Sequence, residues 1–221
     1  MDFDEQYFLR LNRALLSVFG VPERRCEDDI TGALVRGILS QNTNDKNRDR
    51  AFNSLREKFP SWELVAEADE QQIASAIRVA GMANQRAKRI KNLLSWLKEM
   101  SDGRIDAKFL LDMPYESSLA LLTSVQGIGL KTAAVFLLFC ANAPVFPVDT
   151  HIKRIMVRLG VFPQNKSANY MIKVLSRKIP QEIHYTLHIN LIKLGRSYCG
   201  ARRKLCEECP VRKMCASGKA L

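Results

Sequence analysis

The chain has 221 residues, 47% hydrophobic, 26% charged and 8% aromatic, with 34 Lys plus Arg against 23 Asp plus Glu for a net charge of +11. That supplies one or two apolar cores and excludes wholesale disorder. The longest apolar run, Ala133 to Ala141, is far short of the roughly 20 residues a membrane helix needs. The acidic start Met1-Asp2-Phe3-Asp4-Glu5 lacks the basic-then-apolar order of a signal peptide, so an intracellular protein with no membrane partner is expected.

In chain order the apolar spacing reads as nearly all helix. Asp28 or Asp29 caps a helix with Ile30, Ala33, Leu34, Gly37, Ile38 and Gln41 on one face. A second follows Asn44 or Asp45, turns Ala51, Phe52, Leu55 and Phe59 inward, and ends at Pro60. Asp69 and Gln72 form a capping-box pattern for a short helix that buries Ile73, Ala76 and Ile77 and stops at Gly81. From Asn84 to about Ser101 a basic amphipathic helix buries Ala87, Ile90, Leu93, Leu94 and Leu97, and Gly103 closes it. Pro114 opens a helix with Leu119, Leu122 and Val125 inside. Gln126-Gly127-Ile128-Gly129-Leu130-Lys131 is then a tight hairpin leading into an apolar helix that ends near Cys140. Two prolines keep Ala143-Pro144-Val145-Phe146-Pro147-Val148 extended. Asp149 caps a helix carrying Ile152, Ile155, Met156 and Leu159 inward, and helices follow at about 167–179 and 181–197. No strand, repeat, low-complexity tract or long linker is legible.

Charge is unevenly placed. Residues 1–150 hold 19 basic and 20 acidic side chains, whereas residues 151–221 hold 15 basic and 3 acidic, a net of +12. A near-neutral body with a basic last third suits a polyanion, although a bias favouring solubility gives the same numbers.

Cys199, Cys206, Cys209 and Cys215 make a C-x6-C-x2-C-x5-C tail. Inside a cell that spacing points to metal ligation rather than disulfides. Four thiolates suit tetrahedral zinc or an iron–sulfur cluster. Arg202, Arg203 and Lys204 occupy the first ligand loop, Arg212 and Lys213 the last, a cationic surface for phosphate. Cys26 and Cys140 stand outside the pattern and read as buried structural thiols.

Gly127 and Gly129 permit positive φ and close backbone approach, and the helix start behind them offers N–H groups to a phosphate. An ordinary helix connection has the same G-x-G form. Lys131 opens that helix, where the dipole disfavours a cation and so favours a neutral, nucleophilic amine; a solvated surface lysine is the plainer alternative. Asp149 lies 18 residues on. A helix of roughly 10 residues travels about 15 Å and the extended segment can return about 25 Å, so the two side chains can meet at adjacent helix starts. Asp149 as a cap alone is the simpler reading.

Gly127-Ile128-Gly129-Leu130-Lys131-Thr132-Ala133, then Val148-Asp149-Thr150-His151, then the four cysteines resemble the endonuclease III branch of helix-hairpin-helix DNA glycosylases. The likeness covers almost the whole chain, including Leu39-Ser40-Gln41-Asn42-Thr43. It implies an all-α fold of two helical lobes with a DNA-binding cleft between them: a six-helix barrel with the hairpin over residues 28–133, and an iron–sulfur lobe from 1–27 and 134–221. It also implies that Cys199, Cys206, Cys209 and Cys215 ligate a [4Fe–4S] cluster, although ligand type alone favours zinc of the two. The family's catalytic lysine falls on Lys131 and its aspartate on Asp149. Gln41 matches the glutamine that enters the duplex where the flipped base was, and Met82 lies near a wedge position usually held by leucine. Gly127, Gly129, His151, Arg202 and Arg203 are expected on the DNA. Leu34-Val35-Arg36-Gly37-Ile38 lacks the glutamate of the adenine-specific branch, and Lys131 replaces the tyrosine of the thymine-mismatch branch. Gln126 and Leu130 stand where proline and arginine are common, which leaves lesion choice open. The resemblance implies a monomeric glycosylase and abasic-site lyase of base excision repair, intracellular, and in the cytoplasm or nucleoid if the source is a prokaryote. Its partner is double-stranded DNA with damaged bases, foremost oxidised pyrimidines, or abasic sites. Competing readings are a glycosylase for oxidised purines or mismatched pyrimidines, and a non-catalytic metal-stapled DNA-binding module. His184 and His188 are four apart on a helix with no third ligand nearby, so packing is expected of them.

Overall fold

The computed structural model describes residues 3–24 and 28–219. Among them every regular element is helical, apart from one isolated bridge between Cys199 and Lys204. No helix among them is long and apolar enough to cross a membrane. The chain forms two compact units, Cys26–Ala141 and Met1–Arg25 with Asn142–Leu221. Cys26 itself lies outside the described residues.

The first helix, α1 (Glu5–Phe19), belongs to the second unit and is missing from the sequence expectations. Asp4 caps it, accepting from the Tyr7 N–H at 2.8 Å, and Phe8, Leu11 and Leu15 are fully buried at helical spacing. The apolar spacing of Phe8, Leu11 and Leu15 is present in the sequence behind the acidic start.

The Cys26–Ala141 unit continues with α2 (Ile30–Leu39), α3 (Asp45–Lys58), α4 (Trp62–Glu67), α5 (Glu70–Ala76), α6 (Ala83–Met100), α7 (Tyr115–Ser124) and α8 (Leu130–Ala141). Of the two candidate caps for α2 it is Asp29 that serves, with Oδ1 accepting from Gly32 N–H at 2.8 Å and from the Trp62 indole at 2.9 Å. That second bond anchors α4, a six-residue helix too short to show a period. The Asp69–Gln72 capping box forms as expected. Leu34, Ile38, Leu55, Ile90, Leu94 and Leu137 are fully buried. Ala76 and Leu119, expected inside, are only half-buried, and so is Cys140. The expected division at 133/134 falls inside α8. The units part after Ala141 instead, because α8 packs along its length on α2 and α7.

The other unit adds α9 (Thr150–Leu159), α10 (Ala168–Lys178), α11 (His184–Ser197) and the one-turn α12 (Ala216–Lys219), with α1 and α9 both against α11. Segment 143–148 is non-helical, as expected, but not extended throughout: it bends at Pro144, where Val145 N–H returns to Ala143 O at 2.7 Å. It is almost wholly buried, with Phe146 at 0% exposure and its N–H given to Ser176 Oγ at 2.8 Å. His184 and His188 pack edge-on against Phe146 and bond to the carbonyls of Ile179 (3.0 Å) and Pro147 (3.1 Å). They are core residues, as expected.

Burial pushes the His184 pKa below its ordinary value, against the raising effect of the Ile179 carbonyl. The unfolded chain therefore takes up a proton near pH 6.5 that the native state refuses. Stability should fall below that pH by up to about 1.4 kcal/mol per unit until the native group also titrates. Urea midpoints at pH 5 and 7 check this, and His184→Gln should show the smaller difference between the two.

Candidate functional site

The hairpin turns through residues 125–129. Ile128 is buried and returns its N–H to Val125 O at 3.0 Å. Gly127 has φ +102°, and a Cβ there would sit 2.4 Å from Arg89 Cγ, so only glycine lets the turn pack on α6. Gly129 is exposed, with nothing within 4 Å of where a Cβ would project. A phosphate can approach that backbone closely. Lys131 is half-buried on the first turn of α8, one residue after its start.

Gln41 lies past the end of α2 rather than on its face, in a turn where Asn42 has φ +53°. Its side-chain amide is held on both sides. Nε2 donates to Gly127 O at 3.1 Å and to Thr132 Oγ1 at 3.3 Å, and Oε1 accepts from the Arg89 guanidinium. The structure thus brings Gln41, the hairpin and the neighbour of Lys131 together. Met82 is 53% exposed with left-handed backbone at φ +47°.

In the other unit Asp149 caps α9, Oδ1 accepting from Ile152 N–H at 2.8 Å. No hydrogen-bond partner for Oδ2 is found among the described residues. His151 is half-buried against Gly195, where a Cβ would come within 2.8 Å of the imidazole. Arg154 reaches His151 Nδ1 (3.1 Å), Gly195 O (3.1 Å) and Cys199 O (2.9 Å). Arg158 donates to Cys199 Sγ at 3.0 Å and Gly200 O at 2.8 Å, while Cys215 Sγ donates to Arg158 O at 3.1 Å. The helix that Asp149 begins is therefore tied directly to two of the four cysteines. Sequence reasoning missed Arg154 and Arg158, which look like surface charges at i and i+4.

Cys199, Cys206, Cys209 and Cys215 are all half-buried. Burial pushes the Cys209 and Cys215 thiols up, and the neighbouring cysteines push further in the same direction. Burial, with Cys215 beside it, also lifts the Tyr7 phenol to about 12. Cys209 and Cys215, costly to ionise alone, suit a cationic centre shared with the other two sulfurs. Among the described residues no three His, Cys, Asp or Glu side chains are gathered as they stand to hold a metal ion. In kind, though, the donor set fits a thiolate-ligated group. Arg202, Arg203, Lys204 and Lys213 are exposed on the loops between the cysteines.

Residues 35–181 match the HhH-GPD superfamily of base excision DNA repair proteins. An Arabidopsis thaliana protein assigned as a DNA glycosylase is 36% identical over 183 residues, which are 83% of this chain and 59% of that one. Endonuclease III of Sulfolobus acidocaldarius is 34% identical over 190 residues, 85% of this chain and 82% of the archaeal enzyme. An endonuclease III trapped as a covalent intermediate with DNA superposes with a TM-score of 0.83 at 25% identity, covering 98% of this chain and 97% of that one. The chain belongs to the endonuclease III family, within the HhH-GPD superfamily of base excision DNA repair proteins.

Proposed function

We propose that the protein is a monomeric, bifunctional DNA glycosylase and abasic-site lyase that excises oxidised pyrimidines from double-stranded DNA. The observation that carries this is an amine, Lys131, on the first turn of the helix behind a glycine hairpin in a chain of this family. DNA docks by counterion release along the basic loops and by backbone N–H groups of the hairpin. Gln41 and Met82 enter the stack, and Gly127, Gly129, His151, Arg202 and Arg203 hold the backbone. The damaged nucleotide turns out of the helix, more cheaply than a sound one.

Lys131 Nζ then bonds to C1′ of the sugar as the glycosidic bond breaks, its electron pair leaving with the base, which takes a proton. Asp149 stabilises the positive charge that develops on the sugar and relays the proton from the amine. Opening of the ring oxygen leaves an imine between Lys131 and C1′. That imine acidifies C2′–H; loss of this proton expels the 3′ phosphate, and water releases the lysine. Cys199, Cys206, Cys209 and Cys215 would hold a [4Fe–4S] cluster, which would supply a rigid staple for the cationic loops rather than a reacting atom. An all-thiol donor set with N–H···S support from Arg158 favours that assignment.

A panel of duplexes, each with one lesion, assayed separately for base release and strand cleavage, tests the reading. Release of oxidised pyrimidines coupled to 3′ cleavage supports it. Release without cleavage, or tight binding with neither, contradicts it.

Salt dependence follows from the charge. If about 4–6 phosphates are engaged, log affinity for plain duplex should fall against log salt with a slope of roughly −3 to −6. Arg202→Ala or Arg203→Ala should each flatten it by up to about one unit. A slope near zero would mean that the basic loops do not face DNA.

A further inference from the structure

The two turns that carry Gln41 and Met82 share a structural oddity. Asn42 and Met82 both sit in left-handed backbone without being glycine. Asparagine visits that conformation readily, whereas methionine holds it only where its surroundings over-determine it. What holds both turns is one side chain, Arg86, on α6.

Arg86 is 1% exposed, the largest side chain among the fully buried ones, and it lies on the same face of α6 as Ile90 and Leu93. Its Nη1 donates to Ala80 O and to Gly81 O (2.6 Å), the two residues ahead of Met82. Its Nη2 donates to Gln41 O, 45 residues earlier in the chain. Its own N–H goes to Met82 O at 3.1 Å. No carboxylate partner is found for it among the described residues. Burying a cation on carbonyls alone is an expensive way to fill a core position, and carbonyls at ordinary turns are satisfied by N–H groups at far less cost. The planar fork spans two separate turns, which a single ammonium point charge does not. One turn of helix further on, Arg89 grips the Gln41 amide and packs on Gly127, extending the same frame to the hairpin.

We infer that Arg86 is a positioning residue that fixes the Gln41 and Met82 turns at one separation, so that both side chains enter the duplex as a single preformed wedge. The inference rests on the proposed insertion of Gln41 and Met82. Unstacking a base step costs a few kcal/mol, and prongs on independently mobile turns yield to the stack instead of opening it. Holding both on one guanidinium makes the push concerted, in the way preorganisation serves any binding step.

The test uses the full chain and a duplex carrying 2-aminopurine beside a tetrahydrofuran abasic analogue, whose fluorescence rises on unstacking. Arg86→Lys keeps the charge and the aliphatic stem but loses the fork, and Arg86→Gln keeps a planar pair of polar groups without the reach. Affinity for plain duplex should stay within about two-fold, unstacking should slow about five-fold or more, and single-turnover base release from a separate duplex bearing one oxidised pyrimidine should drop about ten-fold at saturating enzyme. Amide hydrogen exchange in segments 40–43 and 79–83 should rise together. Met82→Ala and Gln41→Ala are run alongside. If those two slow unstacking while both Arg86 variants unstack like wild type, the clamp is overturned and the wedge stands. If no variant slows unstacking, the insertion reading fails with it. A drop in unstacking matched by an equal drop in plain-duplex affinity, or faster exchange in only one segment, also overturns the clamp.

Discussion

Lys131→Gln is expected to abolish both base excision and strand cleavage while leaving DNA binding largely intact. The substitution deletes the one proposed nucleophile and nothing of the docking surface, since the hairpin glycines and the exposed Arg202, Arg203 and Lys204 remain. Asp149→Asn should behave differently. Asparagine caps a helix about as well as aspartate, so the bond from Ile152 N–H survives and the melting temperature should barely move. The charge is lost, and base excision should fall by a factor of roughly 10² or more, the usual scale for removing an electrostatic stabiliser. On DNA already abasic no base has to depart, so this variant should be less impaired there. The double variant should be no slower than Lys131→Gln alone, because residues that act as a unit do not add. If Asp149→Asn loses stability and activity in proportion, the carboxylate is a cap and no more. Single-turnover rates on damaged and abasic duplexes, with thermal melts, separate these outcomes.

Cys206→Ala should bleach the visible absorbance and weaken folding and DNA binding together. The tail from 199 to 219 has little apolar core of its own, with Val211 its one buried large side chain. It is tied to the rest of its unit by the Arg154 and Arg158 bonds, Leu205 N–H donating to Tyr198 O, α12 against α9, and Tyr7 Oη donating to Met214 O at 3.4 Å. Loss of about 3 kcal/mol of metal-linked stability would lower Tm by about 10 °C in a chain of this size. The ligand loops carry the exposed cations, so affinity for plain duplex should fall about ten-fold or more, with a shallower salt slope. A bleached variant that melts and binds like wild type would show that the cysteines serve neither fold nor docking.

Much of this arrangement was legible from spacing and caps. The helices begun by Asp29, Asn44, Asp69 and Asp149 form where their capping residues stand, and the four inward positions of α9 are buried as the period requires. What escaped was either short or non-local. The one-turn-and-a-half α4 depends on Trp62 finding Asp29, 33 residues away, which no local pattern reveals. Gln41 reads as one more residue on the α2 face until the turn after Leu39 carries it off the helix to the hairpin. Arg86 did leave a trace. It falls on the apolar stripe four residues before Ile90, and a charge in a core position is the mark of a polar group with a specific task. The carbonyls it serves belong to two distant turns, so the task itself was not readable from the stripe.

The central claim, that Lys131 attacks the sugar, is met most directly by trapping the imine. Wild-type protein is incubated with a duplex bearing one abasic site, reduced with borohydride, and the cross-linked peptide is mapped by mass spectrometry. A stable adduct on the peptide carrying Lys131, absent from Lys131→Gln, is the expected result. An adduct on another amine, or an equal yield from Lys131→Gln, would contradict the assignment.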